Sequence, residues 1–222
     1  MTKFVEKSLF VQLTFTEPIL GSTSNDKEIY TNYIGSKAPD AKTLSEELED
    51  VGLSDVVEKG TTVFLSNKDG YPYLSNHVIK GFFKGSAKHI RRLPARKDKN
   101  GKTVKYESAK RKLWLMHPDK DVREMITIFQ RPLRASTPQG ERIALASSEM
   151  LPRNTTLEFE VQLMDASHEA AVREWLDFGL YHGISQWRNA DYGRFEWKEI
   201  TEEEFLEHQA KHFSKDDGDD YQ

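Results

Sequence analysis

The chain has no cysteine among its 222 residues, which excludes disulfides and every thiolate-held zinc or iron–sulfur centre. It has no apolar run approaching the roughly 20 residues that a bilayer-spanning helix needs, and Met1–Glu17 carries no apolar leader. A soluble, cytoplasmic protein without membrane contact is therefore expected. The spacings of a zinc-protease helix, a nucleophile elbow and a phosphate loop are all missing. Of the seven histidines, only His208 and His212 stand four apart, as on one face of a tail helix, and no further ligand pattern surrounds them. No catalytic residue, metal ligand or cofactor is assigned.

An excess of positive charge is also lacking, since the formal net charge is −4. That sum conceals two opposed blocks. From Lys80 to Lys112 there are thirteen cationic side chains against Asp98 and Glu107, a local balance of +11. From Glu202 to Gln222 eight acids face Lys211 and Lys215, a balance of −6. A polyanion is neutralised locally, so the basic block is a candidate binding segment even in an acidic protein.

The elements follow from periodicity. Leu9–Thr16 alternates after Phe10 as a half-buried strand, which Pro18 and Gly21 end. Ser75 or Asn76 caps a helix through His89, with Val78, Ile79, Phe82, Phe83 and Ala87 on the packing face and Lys80, Lys84 and Lys88 along another. Arg91–Lys112 reads as an exposed basic loop or hairpin leading into Leu113–Met116. Met125–Gln130 has strand character, and Thr156–Met164 alternates over nine residues. Ser167 offers the cap of a helix with the stripe Val172, Trp175, Leu176 and Leu180. A strand at Arg194–Ile200 and a helix over Thr201–Phe213 follow.

The order is compatible with an α+β class and a ferredoxin-like, RRM-like β-α-β-β-α-β core. One domain over residues 1–213 is expected, with insertions at about 21–60, 91–112 and 119–149 and a short helix near Thr43–Val51. The acidic tail at 214–222 is expected to be disordered.

The densest cluster of polar and planar side chains lies in Gly183–Phe195. Glycine permits sharp turns and close approach to a ligand, while Gln186, Trp187, Arg188, Asn189, Tyr192 and Arg194 are side chains that grip phosphates and stack on bases. The same residues also occur in ordinary connections, so the loop needs context.

Three separated pieces supply it. Glu17-Pro18-Ile19-Leu20-Gly21-Ser22 after the first strand, Tyr73–Lys84 at the first helix, and Gly183, Arg188, Tyr192, Gly193 and Arg194 in the late loop stand in one order. In that order they resemble the motifs of the RAMP superfamily of CRISPR effector proteins, especially the backbone subunits that polymerise along a CRISPR RNA. Ser185 departs from the pattern where a second glycine is usual, and Asn76-His77 stands where Gly-Ser or Ser-Ser is common.

The resemblance implies a guide-RNA backbone lying on Asn76, His77, Lys80 and Lys84, with Gln186, Trp187, Arg188 and Asn189 nearby. Lys88, Arg91, Arg92 and Arg194 extend that surface. It implies a thumb hairpin over Met125–Glu149 with Arg131 and Arg134 at its base. Implied partners are guide RNA, further copies of the chain, other effector subunits and a target nucleic acid, with the acidic tail meeting a neighbour's basic surface. Two other functions fit the same fold. One is an endoribonuclease using Asp26 or Asp40, or His77 as general base; the other is an interaction protein from a mobile element that binds an effector complex.

Overall fold

The computed structural model describes residues 5–25, 60–90, 106–108, 112–137 and 140–212. In chain order the strands and helices are β1 (Lys7–Phe15), β2 (Ile19–Leu20), β3 (Thr23–Ser24), β4 (Thr61–Val63), β5 (Leu65–Ser66), β6 (Pro72–Ser75) and α1 (Asn76–Ile90). Then come β7 (Tyr106–Ser108), β8 (Lys112–Met116), β9 (Thr127–Thr137), β10 (Gly140–Leu151), β11 (Thr156–Leu163), α2 (Glu169–Asp177), β12 (Phe195–Glu199) and α3 (Glu202–His212).

The main sheet runs β12-β1-β11-β8-β6-β5, with β7 paired to β11. Taking β1, β8, β11 and β12 as first to fourth strands, the order is 4-1-3-2. Neighbours in this core are antiparallel, and α1 and α2 are the two crossovers. This is the ferredoxin-like α+β arrangement, extended at one edge by β6 and β5.

Alternation decides which face is covered. Leu9, Val11, Leu13 and Phe15 of β1 are fully buried, and Leu157, Phe159, Val161 and Leu163 of β11 stand beside them. The helices close on this face: Phe82 meets Phe195 edge-on at 5.1 Å, and Phe83 meets Trp175 at 5.7 Å. Ile79, Phe82 and Phe83 are buried as the helical spacing predicts, as are Val172, Trp175 and Leu176.

Leu180 departs from the expected stripe and is 44% exposed. The α-helix ends at Asp177 and tightens into a 3-10 turn at Phe178–Leu180, which rotates Leu180 out of register. The N-terminal cap also moves. Asp165, not Ser167, accepts the Ser167 amide and starts a 3-10 turn that runs into α2.

A second sheet, ordered β2-β10-β4-β3 with β9 on β10, rises from the core. Its β9–β10 hairpin is continuously paired from Thr127↔Met150 to Thr137↔Gly140. This is the thumb-like hairpin, shifted by two residues from the expected Met125–Glu149. The helix expected near Thr43–Val51, most of the 21–60 and 91–112 insertions, and the 214–222 tail lie outside the described residues.

α3 covers the other face of the main sheet. Thr201 and Glu204 cap it reciprocally, the Glu204 amide donating to Thr201 Oγ1 and the Thr201 amide to Glu204 Oε2. Phe205, 3% exposed, rests on Phe10 at 5.3 Å. The helix expected in the tail is thus packed on the sheet: His208 Nδ1 donates to Glu158, a carboxylate buried on β11, at 2.8 Å.

Candidate nucleic-acid interface

α1 has one packed and one polar arc. Opposite Ile79, Phe82, Phe83 and Ser86 lie His77, Gly81, Lys84 and Lys88, all exposed, with Lys80 half-buried. Asn76 begins the helix, where backbone N–H groups lack intrahelical acceptors. Gly81 sits among the lysines with helical backbone, and among the described residues a Cβ there would meet nothing within 4 Å. A mid-helix glycine costs about 1 kcal/mol relative to alanine. Among the described residues no packing calls for it, and its φ is an ordinary helical one. Gly85, one turn on, faces His182, whose Nε2 would lie in ordinary contact with a Cβ at 3.6 Å.

The 183–194 loop is closed by its glycines. Ile184 N–H donates to Gly193 C=O at 3.0 Å, and Gly193, at φ +69°, donates to Pro18 C=O at 2.9 Å. The glycines expected to admit a ligand instead admit the chain's own backbone. Ser185, which stands where the motif has glycine, keeps the left-handed conformation at φ 69°, and its Oγ donates to Leu20 C=O. Trp187 and Asp191 are left-handed as well and flank a 3-10 turn at Arg188–Ala190. That turn lifts Arg188 and Asn189 into solvent.

The loop also grips the hairpin. Trp187 and Tyr192 meet Phe129 of β9 at 5.9 and 5.2 Å, and the Arg131 guanidinium lies 5.5 Å over the Trp187 ring. Thr62 Oγ1 lies 3.2 Å from Gln186 Oε1 and 2.8 Å from Ser148 Oγ. Arg194 pairs with Asp191 within the loop. Gln186, Trp187 and Arg194 therefore have partners inside the protein, whereas Arg188 and Asn189 form the exposed crown.

His182 joins this loop to α1. Its ring lies 6.3 Å from Phe82 and 5.4 Å from His89. Burial, then the positive fields of Arg188 and His89, hold its pKa below the usual histidine value. Neither His182 nor Phe129 was legible as a site residue. The one signal was position, since His182 immediately precedes Gly183 and Phe129 lies in the strand carrying Arg131.

Three sequence landmarks thus meet: the turn after β1, α1, and the late glycine loop. Arg131 reaches them from the hairpin. Arg134 pairs with Ile143 nearer the tip, so it does not stand at the base. Arg91 and Arg92, and the alternative catalytic positions Asp26 and Asp40, lie outside the described residues. Among the described residues no group of three or more His, Cys, Asp or Glu side chains is placed to hold a metal ion.

The outer sheet face has a different chemistry from a base-stacking platform. Its central strands present Ser8, Gln12, Glu158, Glu160 and Gln162, and its one aromatic on those strands, Phe10, lies under Phe205. Carboxylates repel phosphate, and a covered ring cannot stack on a base.

Neither a family model nor a curated relative matches this sequence. The fold does have a solved counterpart. The chain is similar to one in a cryo-EM structure of the Type III-B Cmr-beta bound to cognate target RNA, with a TM-score of 0.50 and 10% identity. The alignment covers 88% of this chain and 60% of that one, so the chain spans less than two thirds of its neighbour's length. The likeness is one of fold, an α+β core that the two chains share. Among the described residues, no helix is long and apolar enough to cross a membrane.

Proposed function

We propose that the chain binds the sugar–phosphate backbone of RNA along α1 and the crown of the 183–194 loop, as a repeated subunit of a CRISPR-type ribonucleoprotein. The observation that carries this reading is the bare helix surface at Gly81, set between His77, Lys84 and Lys88. A missing side chain that the protein itself does not require leaves space for an outside backbone to approach. Lysines deliver compact charge to phosphates, and Arg188 can fork onto one. Such contacts hold a strand without reading its bases, as a carrier of many guides requires.

The structural neighbour described as bound to cognate target RNA supports an RNA-complex role for this fold. Guide RNA, further copies of the chain and other effector subunits are the partners in this reading. The decisive experiment is recovery and sequencing of RNA that copurifies with the protein, with size-exclusion profiles before and after nuclease treatment. Repeat-derived RNA of regular length in an oligomer that shrinks on nuclease treatment is the expected result. A monomer that retains no RNA at low salt overturns the proposal.

A further inference from the structure

The helix layer carries a cleft that the RNA reading leaves unused. It opens between the end of α1 and the segment from α2 into the Phe178–Leu180 turn, with a volume of about 390 Å³, lined by His89, Ile90, Glu174, Asp177, Phe178 and Tyr181. Its walls are aromatic. The rings of His89 and Phe178 stack with centroids 5.7 Å apart and planes 26° from parallel, and Tyr181 beside them is 73% exposed. His89 Nδ1 donates to Gly85 C=O at 2.9 Å, which fixes the ring's position over the helix.

Two carboxylates complete the lining. Glu174 and Asp177 are three apart on α2 and share a side of it. Asp177 Oδ1 accepts the Trp197 indole N–H at 2.7 Å, leaving its second oxygen. Among the described residues the Glu174 carboxylate has no hydrogen-bond or ion-pair partner. Lys88 neighbours His89 in sequence but lies about 100° around the helix, so it does not share that ring's direction.

Aromatic faces attract a planar cation through their quadrupoles, and a carboxylate accepts its paired N–H donors. A nucleotide is a poorer match, because its phosphate approaches two carboxylates. An aliphatic side chain is poorer still, since it would desolvate the carboxylates without pairing them. Tyr181, which lines the cleft and is 73% exposed, offers the aromatic area that a protein surface would cover. We propose that this cleft docks an arginine side chain presented by a neighbouring protein. The inference stands apart from the RNA reading, since it uses a different set of side chains.

The test is a titration of the isotope-labelled full chain with the blocked peptide acetyl-Gly-Arg-Gly-amide, followed by NMR at the Tyr181 and Phe178 rings and the Trp197 indole N–H. Parallel titrations use the lysine analogue of the peptide and guanosine monophosphate. Saturable shifts with the arginine peptide are expected in the tens of millimolar, with the lysine peptide weaker because it lacks the planar fork. Glu174→Gln should weaken the response by about threefold or more, as for loss of a partly exposed ion pair. Tyr181→Ala should weaken it too, and RNA affinity should be unchanged in both variants. No saturable response, a response that survives both substitutions, or selective binding of guanosine monophosphate would each overturn the proposal.

Discussion

Gly183 and Gly193 close the loop neck against each other: a Cβ on Gly183 would stand 2.0 Å from Tyr192 C=O, and one on Gly193 would stand 2.1 Å from Ile184 C=O. Both neighbours are backbone, which cannot swing aside. The loop that carries Arg188 therefore depends on two missing side chains whose role is internal.

Gly183→Ala and Gly193→Ala are each expected to destabilise the protein by about 2–4 kcal/mol, through overlap in both and a forced positive φ in the second. Denaturant unfolding measures this. Gly81→Ala provides the contrast: it should stabilise the fold by up to about 1 kcal/mol while weakening RNA binding. Equal loss of stability at all three positions would refute the distinction between neck and surface glycines.

Lys84→Ala and Arg188→Ala should leave unfolding free energy within about 0.5 kcal/mol, because both side chains are exposed. RNA affinity should fall across unrelated sequences, and the slope of log K against log salt should decrease by about 0.7 for each phosphate of a single strand that is no longer neutralised. Anisotropy titrations at several salt concentrations read both effects. A weakening confined to one RNA sequence would instead mean base recognition.

Burial, with Arg188 and His89 nearby, disfavours the His182 imidazolium in the folded state. Its contribution to stability is then present above the unfolded histidine range and is lost as pH falls through the depressed folded value. His182 should titrate below 6.5 by NMR. Arg188→Ala should raise the midpoint only part of the way, because burial is the larger cause. His182→Phe should remove that acid-sensitive component from a stability–pH profile.

Phe205→Ala should cost about 3 kcal/mol by removing its packing on Phe10. Hydrogen exchange is expected to show weakened protection first in α3, with the β1–β11 pairing retained. His208→Ala should cost about 1–3 kcal/mol, since it takes a donor from the buried Glu158 carboxylate. Unaltered protection of α3 in both variants would show that the helix is held by other interactions.

Much of the fold was legible because its signals are periodic. The alternation in Leu9–Phe15 and Thr156–Leu163, and the 3.6-residue spacing of Ile79, Phe82 and Phe83, arise from burial of one face and survive in a single sequence. The candidate site was legible where charge repeats, as at Lys80, Lys84 and Lys88, and where glycines bracket polar side chains, as around Arg188 and Asn189. The partners of Trp187 were hidden, because Phe129 and Arg131 lie more than fifty residues away and reach it only through hairpin packing. The covering of Glu158 by α3 was equally hidden, since an amphipathic tail helix does not state which sheet face it will meet.

By itself the sequence determined the α+β element order, the absence of thiol chemistry, the basic block and the order of the glycine landmarks. These depend on residue type and short-range spacing. The tertiary structure alone decided that Gly183 and Gly193 serve the neck of a loop, that Ser185 holds a left-handed turn by bonding to Leu20, and that no described residue stands against Gly81. Those assignments depend on which atoms approach these positions from elsewhere in the chain, and such distances between residues far apart in the sequence exist only once it has folded.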